Sequence, residues 1–223
     1  MSEIELPEDH PRYQSLLTRH RIEEGVEKGI TSQQGLIAEG RGEAFDYLLG
    51  EETIPSADEA ARAAAAQLLL ADHPVLSVNG NVAALVAEEI VDLADAVGAD
   101  IEINLFNRTE ERMEAIAAHL REHGADEVKG LTADGRIPNL SHERAKVDAD
   151  GIGGADVVVV PLEDGDRAEA LADLENRDGH RSQSALAVGS DSGDPDRRQH
   201  HSRRAEHDRA CCRSSECRLQ HAD

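Results

Sequence analysis

Aromatic side chains are almost missing from this chain: two Phe, two Tyr and no Trp among 223 residues. Single-stranded nucleic acid is held largely by stacking on such rings, so that function class is excluded first. Positive charge is scarce too, with 23 basic residues against 46 acidic ones and a formal charge of −23. A field of that sign repels polyanions, which excludes a general binder of nucleic acid or of anionic membrane surfaces. No apolar run approaches the about 18 residues that mark a membrane span. The acidic start MSEIELPEDH has no apolar signal segment, so a cytoplasmic protein is expected. Lysine is rarest among the charged types, with only Lys28, Lys129 and Lys146. Many carboxylates with little lysine suit a protein kept in solution at molar salt, where the Debye length is about 3 Å and self-repulsion is screened.

What is present divides near Leu174. Residues 175–223 hold nine Arg, nine Asp or Glu, five His and all three Cys, so the net charge of the whole chain sits before them. Their only large aliphatic residues are Leu186, Val188 and Leu219. So little apolar surface does not offset the entropy of ordering, and a disordered tail is expected. His207, Cys211, Cys212, Cys217 and His221 resemble a metal site superficially. They lack paired C-x₂-C spacing, and adjacent cysteines suit tetrahedral zinc poorly.

Residues 1–174 alternate between helical and strand patterns. Helices are expected over Arg12–Lys28, from a Ser56/Glu59 capping box to Ala71, over Val82–Val97, from Thr109 to His123 and over Asp166–Leu174. Strands are expected at Val75–Val78, Ile101–Phe106, Glu127–Leu131 and Asp156–Val160, with loop over most of Thr132–Gly154. The four successive valines of the last strand mark one buried on both faces of a parallel sheet. This rhythm predicts an α/β fold: a Rossmann-like, doubly wound, mostly parallel sheet preceded by N-terminal helices.

Such sheets bind ligands beyond the carboxyl ends of their strands. Asn79, Gly80 and Asn81 follow the first strand and open a helix, where free amides and the helix dipole favour an anion; Asn-Gly is equally a plain turn. Arg108 follows the second strand and is a candidate for an anion or for a surface ion pair. Glu163, Asp164 and Asp166 follow the buried strand and could meet Mg²⁺ or an ammonium group, or form a solvated loop. Gly40-Arg41-Gly42 is a possible phosphate turn, though neither a Walker loop nor a full dinucleotide fingerprint. That last lack speaks against a nicotinamide dehydrogenase.

Three stretches carry the reading further. His10-Pro11-Arg12-Tyr13 with the following Ser-Leu-Leu, GLIAEGRGEAFDYLLGE over 35–51 and HPVLSVNGNVAALV over 73–86 closely resemble the archaeal phosphopantothenate synthetases, the 4-phosphopantoate–β-alanine ligases of coenzyme A biosynthesis. INLFNRTEER, RIPNLSHERAKVD and ADVVVVPLEDGDRAEAL extend the resemblance in order over roughly residues 8–174. It implies a homodimeric, ATP-dependent ligase that joins 4-phosphopantoate to β-alanine and releases AMP and diphosphate. It implies ATP contacts at Arg19 and Arg41, with Mg²⁺ and guanidinium groups offsetting the repulsion when a carboxylate attacks a phosphate. On that basis Asn79, Gly80, Asn81 and Arg108 are expected on the phosphopantoate, and Asp164 and Asp166 near the amine. The catalytic group stays unassigned.

The chain departs from the family pattern at Glu39, where many relatives have His, and at Asn107, where Tyr is frequent. A larger departure follows Leu174, because the family continues with a strand, DLNPLSR and a VDNI segment. Reading GC-rich codons for Glu175–Arg209 one nucleotide later recovers all three in order. The protein largely fixes the first and third bases of each shifted codon, so chance recovery is very improbable. A frameshift near Leu174–Asn176 is therefore expected, dividing the chain into a ligase-like domain over 1–174 and an out-of-frame tail over 175–223. Loss of that strand and of part of the ATP site predicts impaired activity. A non-catalytic phosphate-binding or dimerising module remains the alternative.

Overall fold

The computed structural model describes Pro7, residues 9–138 and 140–162, and the backbone of Ser184–Leu186. The expected helix at Asp166–Leu174, the acidic residues Glu163–Asp166 and the Cys/His cluster lie outside the described residues.

Three helices come first: α1 (Tyr13–Glu27), α2 (Gln33–Leu49) and α3 (Pro55–Leu70). They lead into β1 (Pro74–Val78), α4 (Gly80–Val97), β2 (Asp100–Ile103) and α5 (Glu110–Glu122). A short hairpin of β3 (Gly135–Arg136) and β4 (Lys146–Val147) precedes β5 (Val157–Val159), and β6 is Ser184–Leu186. The main sheet has the order β2-β1-β5-β6, and every neighbouring pair is parallel. The α/β sheet expected from the alternation is thus present. Among the described residues, no helix is long and apolar enough to cross a membrane.

Side chains alternate across the sheet. Leu76, Val78, Ile101, Ile103, Val157 and Val159 face one core with α3, α4 and α5. Val75, Val158 and Val160 face a second core with Ile137, Val147 and Ile152. The valine run is accordingly buried on both faces and paired on both edges, as its composition demanded. In the described residues the second face is covered by the β3–β4 hairpin and the turn after it, where a doubly wound sheet carries helices. The intervening sequence has no helical apolar period, so a hairpin is what it can form.

Several local expectations are corrected. Gly40-Arg41-Gly42 is no turn: α2 runs through it to a left-handed Gly50 cap. Glycine costs a helix about 1 kcal/mol relative to Ala, and the long flanking runs of good helix formers outweigh that. The Ser56/Glu59 capping box does not form, because Pro55 already occupies the first helical position and Ile54 the cap. Glu127–Leu131 contributes only a single parallel bridge, Lys129 to Glu102. β2 stops at Ile103, where the buried Asn104 turns its amide to the carbonyls of Arg144 and Lys146. The stretch 132–154, expected mostly as loop, holds the hairpin and a short 3₁₀ turn at Glu143–Ala145. Ser184–Leu186 pair in parallel with β5 as β6, where β5 would otherwise leave an edge of unpaired backbone groups.

Candidate functional site

The strand order places a topological switch point between β1 and β5: the chain leaves β1 toward β2 on one side and β5 toward β6 on the other. Ligands of open α/β sheets bind outside the carboxyl ends of such a strand pair. Asn79 stands there. Its Oδ1 accepts from the amides of Asn81 and Val82, capping α4, while its Nδ2 donates to the carbonyl of Pro161 at 2.9 Å. The next residue, Leu162, is half exposed and lies in the left-handed region (φ 57°). That is an uncommon conformation for a leucine, and such strain concentrates at functional turns.

The start of α2 closes on the same helix N-terminus. Thr31 Oγ1 donates to Asn81 Oδ1 at 2.5 Å, and Asn81 Nδ2 donates to the carbonyl of Gly35 at 3.0 Å. A Cβ on Gly35 would lie 2.2 Å from Asn81 Oδ1, so only glycine permits this approach. Gly80 is equally enclosed, with the carbonyl of Ile30 2.6 Å and Arg112 Nη2 2.9 Å from a Cβ position. Both carboxamides thus hold the turn together. Arg112 reaches this place from α5, donating to the carbonyls of Asn107 and Ile30 at 3.1 and 3.4 Å. Burial lowers its pKa from the usual arginine value, and its buried Nε has no hydrogen-bond partner. Arg108, by contrast, donates to the carbonyls of Gly130 and Leu131 at the end of β2.

A second cluster lies farther along α2. Glu43 is two turns beyond Gly35, about 12 Å along the helix axis. Its Oε1 accepts from Arg12 Nη2 at 2.7 Å and from the Tyr47 hydroxyl at 2.8 Å; its Oε2 accepts from Arg19 Nη2 at 2.5 Å. The carboxylate is 8% exposed, and the two arginine side chains 45% and 37%. Burial alone would push Glu43 up, but the hydrogen bonds from Arg19, Tyr47, Arg12 and Ser15 outweigh it and hold the carboxyl at about 2. One turn back, burial and the neighbouring Glu43 charge push Glu39 above its usual value, and its Oε2 is buried without a partner. Arg12, Arg19, Gly40, Glu43, Ala44 and Tyr47 line an open cleft of about 460 Å³.

The sequence-derived candidates therefore separate. Asn79, Gly80 and Asn81 gather at the switch point, Arg108 ends beside the 130–131 turn, and Arg19 faces the cleft between α1 and α2. Arg41 is exposed on α2, about 200° around the helix from Glu43, with no bond among the described residues. Asp164 and Asp166 lie outside the described residues. Sequence reasoning missed Arg12, Thr31, Glu43 and Tyr47. The spacing of Arg12 and Arg19 by seven residues, and of Glu43 and Tyr47 by four, was the available signal for shared helix faces. Among the described residues no group of three His, Cys, Asp or Glu could hold a metal ion. A dedicated Mg²⁺ cage is thus not found there, and this cation is commonly held by substrate phosphates with one or two carboxylates.

Comparison with known proteins places the sequence among named relatives. Residues 56–177 match the family described as phosphopantothenate/pantothenate synthetase. The 4-phosphopantoate–β-alanine ligase of Thermococcus kodakarensis is 60% identical over 169 residues, covering 75% of this chain and 65% of that protein. The ligase of the same name from Thermococcus onnurineus is 61% identical with the same coverage. That of Methanosarcina mazei is 56% identical over 170 residues, covering 76% and 67%. The chain thus spans about 65% of the length of the first two relatives.

Proposed function

Because this chain belongs to the phosphopantothenate/pantothenate synthetase family, we propose that the protein is an ATP-dependent ligase condensing 4-phosphopantoate with β-alanine. The observation that carries the reading is the 60% identity over 169 residues to a relative bearing that activity's name. In the reaction, a pantoate carboxylate oxygen attacks the α-phosphorus of ATP and diphosphate leaves. The β-alanine nitrogen then attacks the activated carbonyl carbon, loses a proton, and AMP departs. Mg²⁺, when bound with the nucleotide, supplies charge neutralisation on the phosphates.

Arg19, in the cleft, is assigned to ATP on the family resemblance, as is Arg41. The turn at Asn79, Gly80 and Asn81 is assigned to the phosphopantoate because it stands at the switch point, with Arg112 adding a guanidinium against the same helix N-terminus. Arg108 lies at the end of the adjacent strand. Asp164 and Asp166 are assigned to the β-alanine ammonium by their place in sequence just after β5. A homodimer is supported by α2, none of whose residues is buried against the described residues. Ile37, Phe45 and Leu48 form an exposed stripe on it at spacings of eight and three, and Arg41 stands within that stripe.

The second reading is a non-catalytic phosphate-binding or dimerising module, favoured by the out-of-frame tail inferred from residue 175 onward. ATP-dependent formation of 4′-phosphopantothenate, followed with AMP release, separates the two. The ligase reading expects product from the frame-restored chain, with little from the 223-residue chain. Phosphopantoate binding without AMP release by the frame-restored chain would instead support the module.

A further inference from the structure

We propose that Arg12 shares with Arg19 the binding of one phosphate group in the cleft between α1 and α2, with Glu43 as the positioning residue that holds both guanidinium groups for it. The inference rests on the reading that Arg19 contacts a phosphate-bearing substrate of the ligase, and it adds two residues to that reading.

The geometry supplies the argument. Arg12 is the N-cap residue of α1, and Arg19 stands seven residues on, about two turns into the helix. Unrestrained, two long side chains so placed would sample many directions. Glu43 gives one oxygen to each: Oε1 to Arg12 at 2.7 Å and Oε2 to Arg19 at 2.5 Å. The Tyr47 hydroxyl reinforces the fork, accepting from Arg12 Nε at 2.8 Å, donating to Glu43 at 2.8 Å and lying 3.1 Å from Ser15 Oγ.

Each guanidinium has five N–H donors. Arg12 spends Nε and one Nη2 hydrogen in the network and Arg19 one Nη2 hydrogen, so most of their donors remain free for a ligand. The trio carries a net charge of +1 in a chain whose total is −23. Its carboxylate is nearly buried, whereas both arginines are open to the cleft, so an arriving anion meets guanidinium groups first. The cleft is open to solvent, and its about 460 Å³ leaves room for a phosphate group between the two arginines. Gly40 on its wall leaves open space where a side chain would stand. The chemistry recognised is a phosphate group, carried by a nucleotide or by a phosphorylated acid.

Calorimetric titration of the full chain with inorganic diphosphate, ATP and 4-phosphopantoate tests this. Arg12→Ala is expected to weaken the phosphate ligand that occupies the cleft about tenfold to a hundredfold, the loss typical of charge-assisted bonds. Arg12→Lys keeps the charge but not the fork, and should recover only part of it. Glu43→Gln should weaken the same ligand although it adds net positive charge, and Glu43→Asp should restore some binding. Losses confined to ATP and diphosphate assign the phosphate to the nucleotide; losses confined to phosphopantoate assign it there.

Tighter binding by Glu43→Gln would overturn the positioning role, making Glu43 a mere competing anion. A lowered melting temperature with unchanged affinities would overturn it too, leaving a purely structural contact. If Arg19→Ala alone loses ATP while the Arg12 and Glu43 variants bind normally, the proposal fails and the nucleotide reading stands. If Arg19→Ala binds as the unaltered chain does, both fail; if no phosphate ligand, diphosphate included, binds at all, the cleft proposal fails.

Discussion

Gly40 and Gly80 look alike in the sequence, yet they answer the same substitution in opposite ways. Gly40 lies inside α2 with open space at its Cβ position, so Gly40→Ala should raise stability by about 0.5–1 kcal/mol through backbone entropy. Gly80→Ala drives a methyl against the backbone carbonyl of Ile30 and should cost about 1–3 kcal/mol. Urea denaturation of both variants measures the contrast. The carboxyls of α2 are opposed in a similar way. Glu43 is held at about 2, below its ordinary 4.5, so its contribution is present above 4.5 and is lost as pH falls toward 2. Glu39 is raised instead, so its contribution is present below the ordinary value and is lost as pH rises through its folded-state value. Glu43→Gln should therefore flatten the acid limb of stability against pH. Glu39→Gln should be more stable than the parent at neutral pH, the difference vanishing in acid. Denaturation series from pH 2 to 7 read both slopes.

At the scale of elements, one asparagine joins a helix to the central crossover. Asn79 caps α4 and also bonds Pro161, 82 residues away, so Asn79→Ala loses a cap and a tie across the switch point. A cost of about 0.5–2 kcal/mol is expected for the cap alone. Hydrogen exchange should show faster opening of the first turn of α4 and of the Pro161 turn together; independent opening would argue against the link. Propensity misjudged two neighbouring features for one reason. Gly40-Arg41-Gly42 and Ser56-x-x-Glu59 were read as local punctuation, whereas the length of α2 and the position of Pro55 decided where helices run. Glu102 illustrates the converse. It lies fully buried within β2, its oxygens accepting from the amides of Asp148 and Ile152, and so fastens the layer beneath the sheet. A charged residue in a short strand pattern gives no hint of that pairing.

For the whole molecule, the exposed stripe on α2 leads to a prediction about assembly. Leu48 is 82% exposed and Ile37 64%, and a second copy is the occupant the family reading supplies. Leu48→Glu should reduce the sedimenting mass from dimer to monomer without changing the circular dichroism; a monomeric parent chain would sink the homodimer. The alternation of periods, the valine run and the division of composition at Leu174 were legible in the sequence alone, because burial in a sheet or helix is written in the local spacing of apolar residues. Those patterns determined the α/β class, the central strands and, through long ordered resemblances, the family. The candidate site was only half legible. Asn79, Gly80 and Asn81 stood out by motif and Arg19 came only from the family resemblance, but Arg12 and Glu43 are 31 residues apart and Thr31 and Asn81 are 50. Only the tertiary structure decided which of these side chains share a hydrogen bond, that both carboxamides of the 79–81 turn are committed to it, and that Arg19 and Arg41 face different ways. The physical reason is reach: a hydrogen bond acts over about 3 Å, and no local pattern encodes which distant residues the packing of two helices will bring within it.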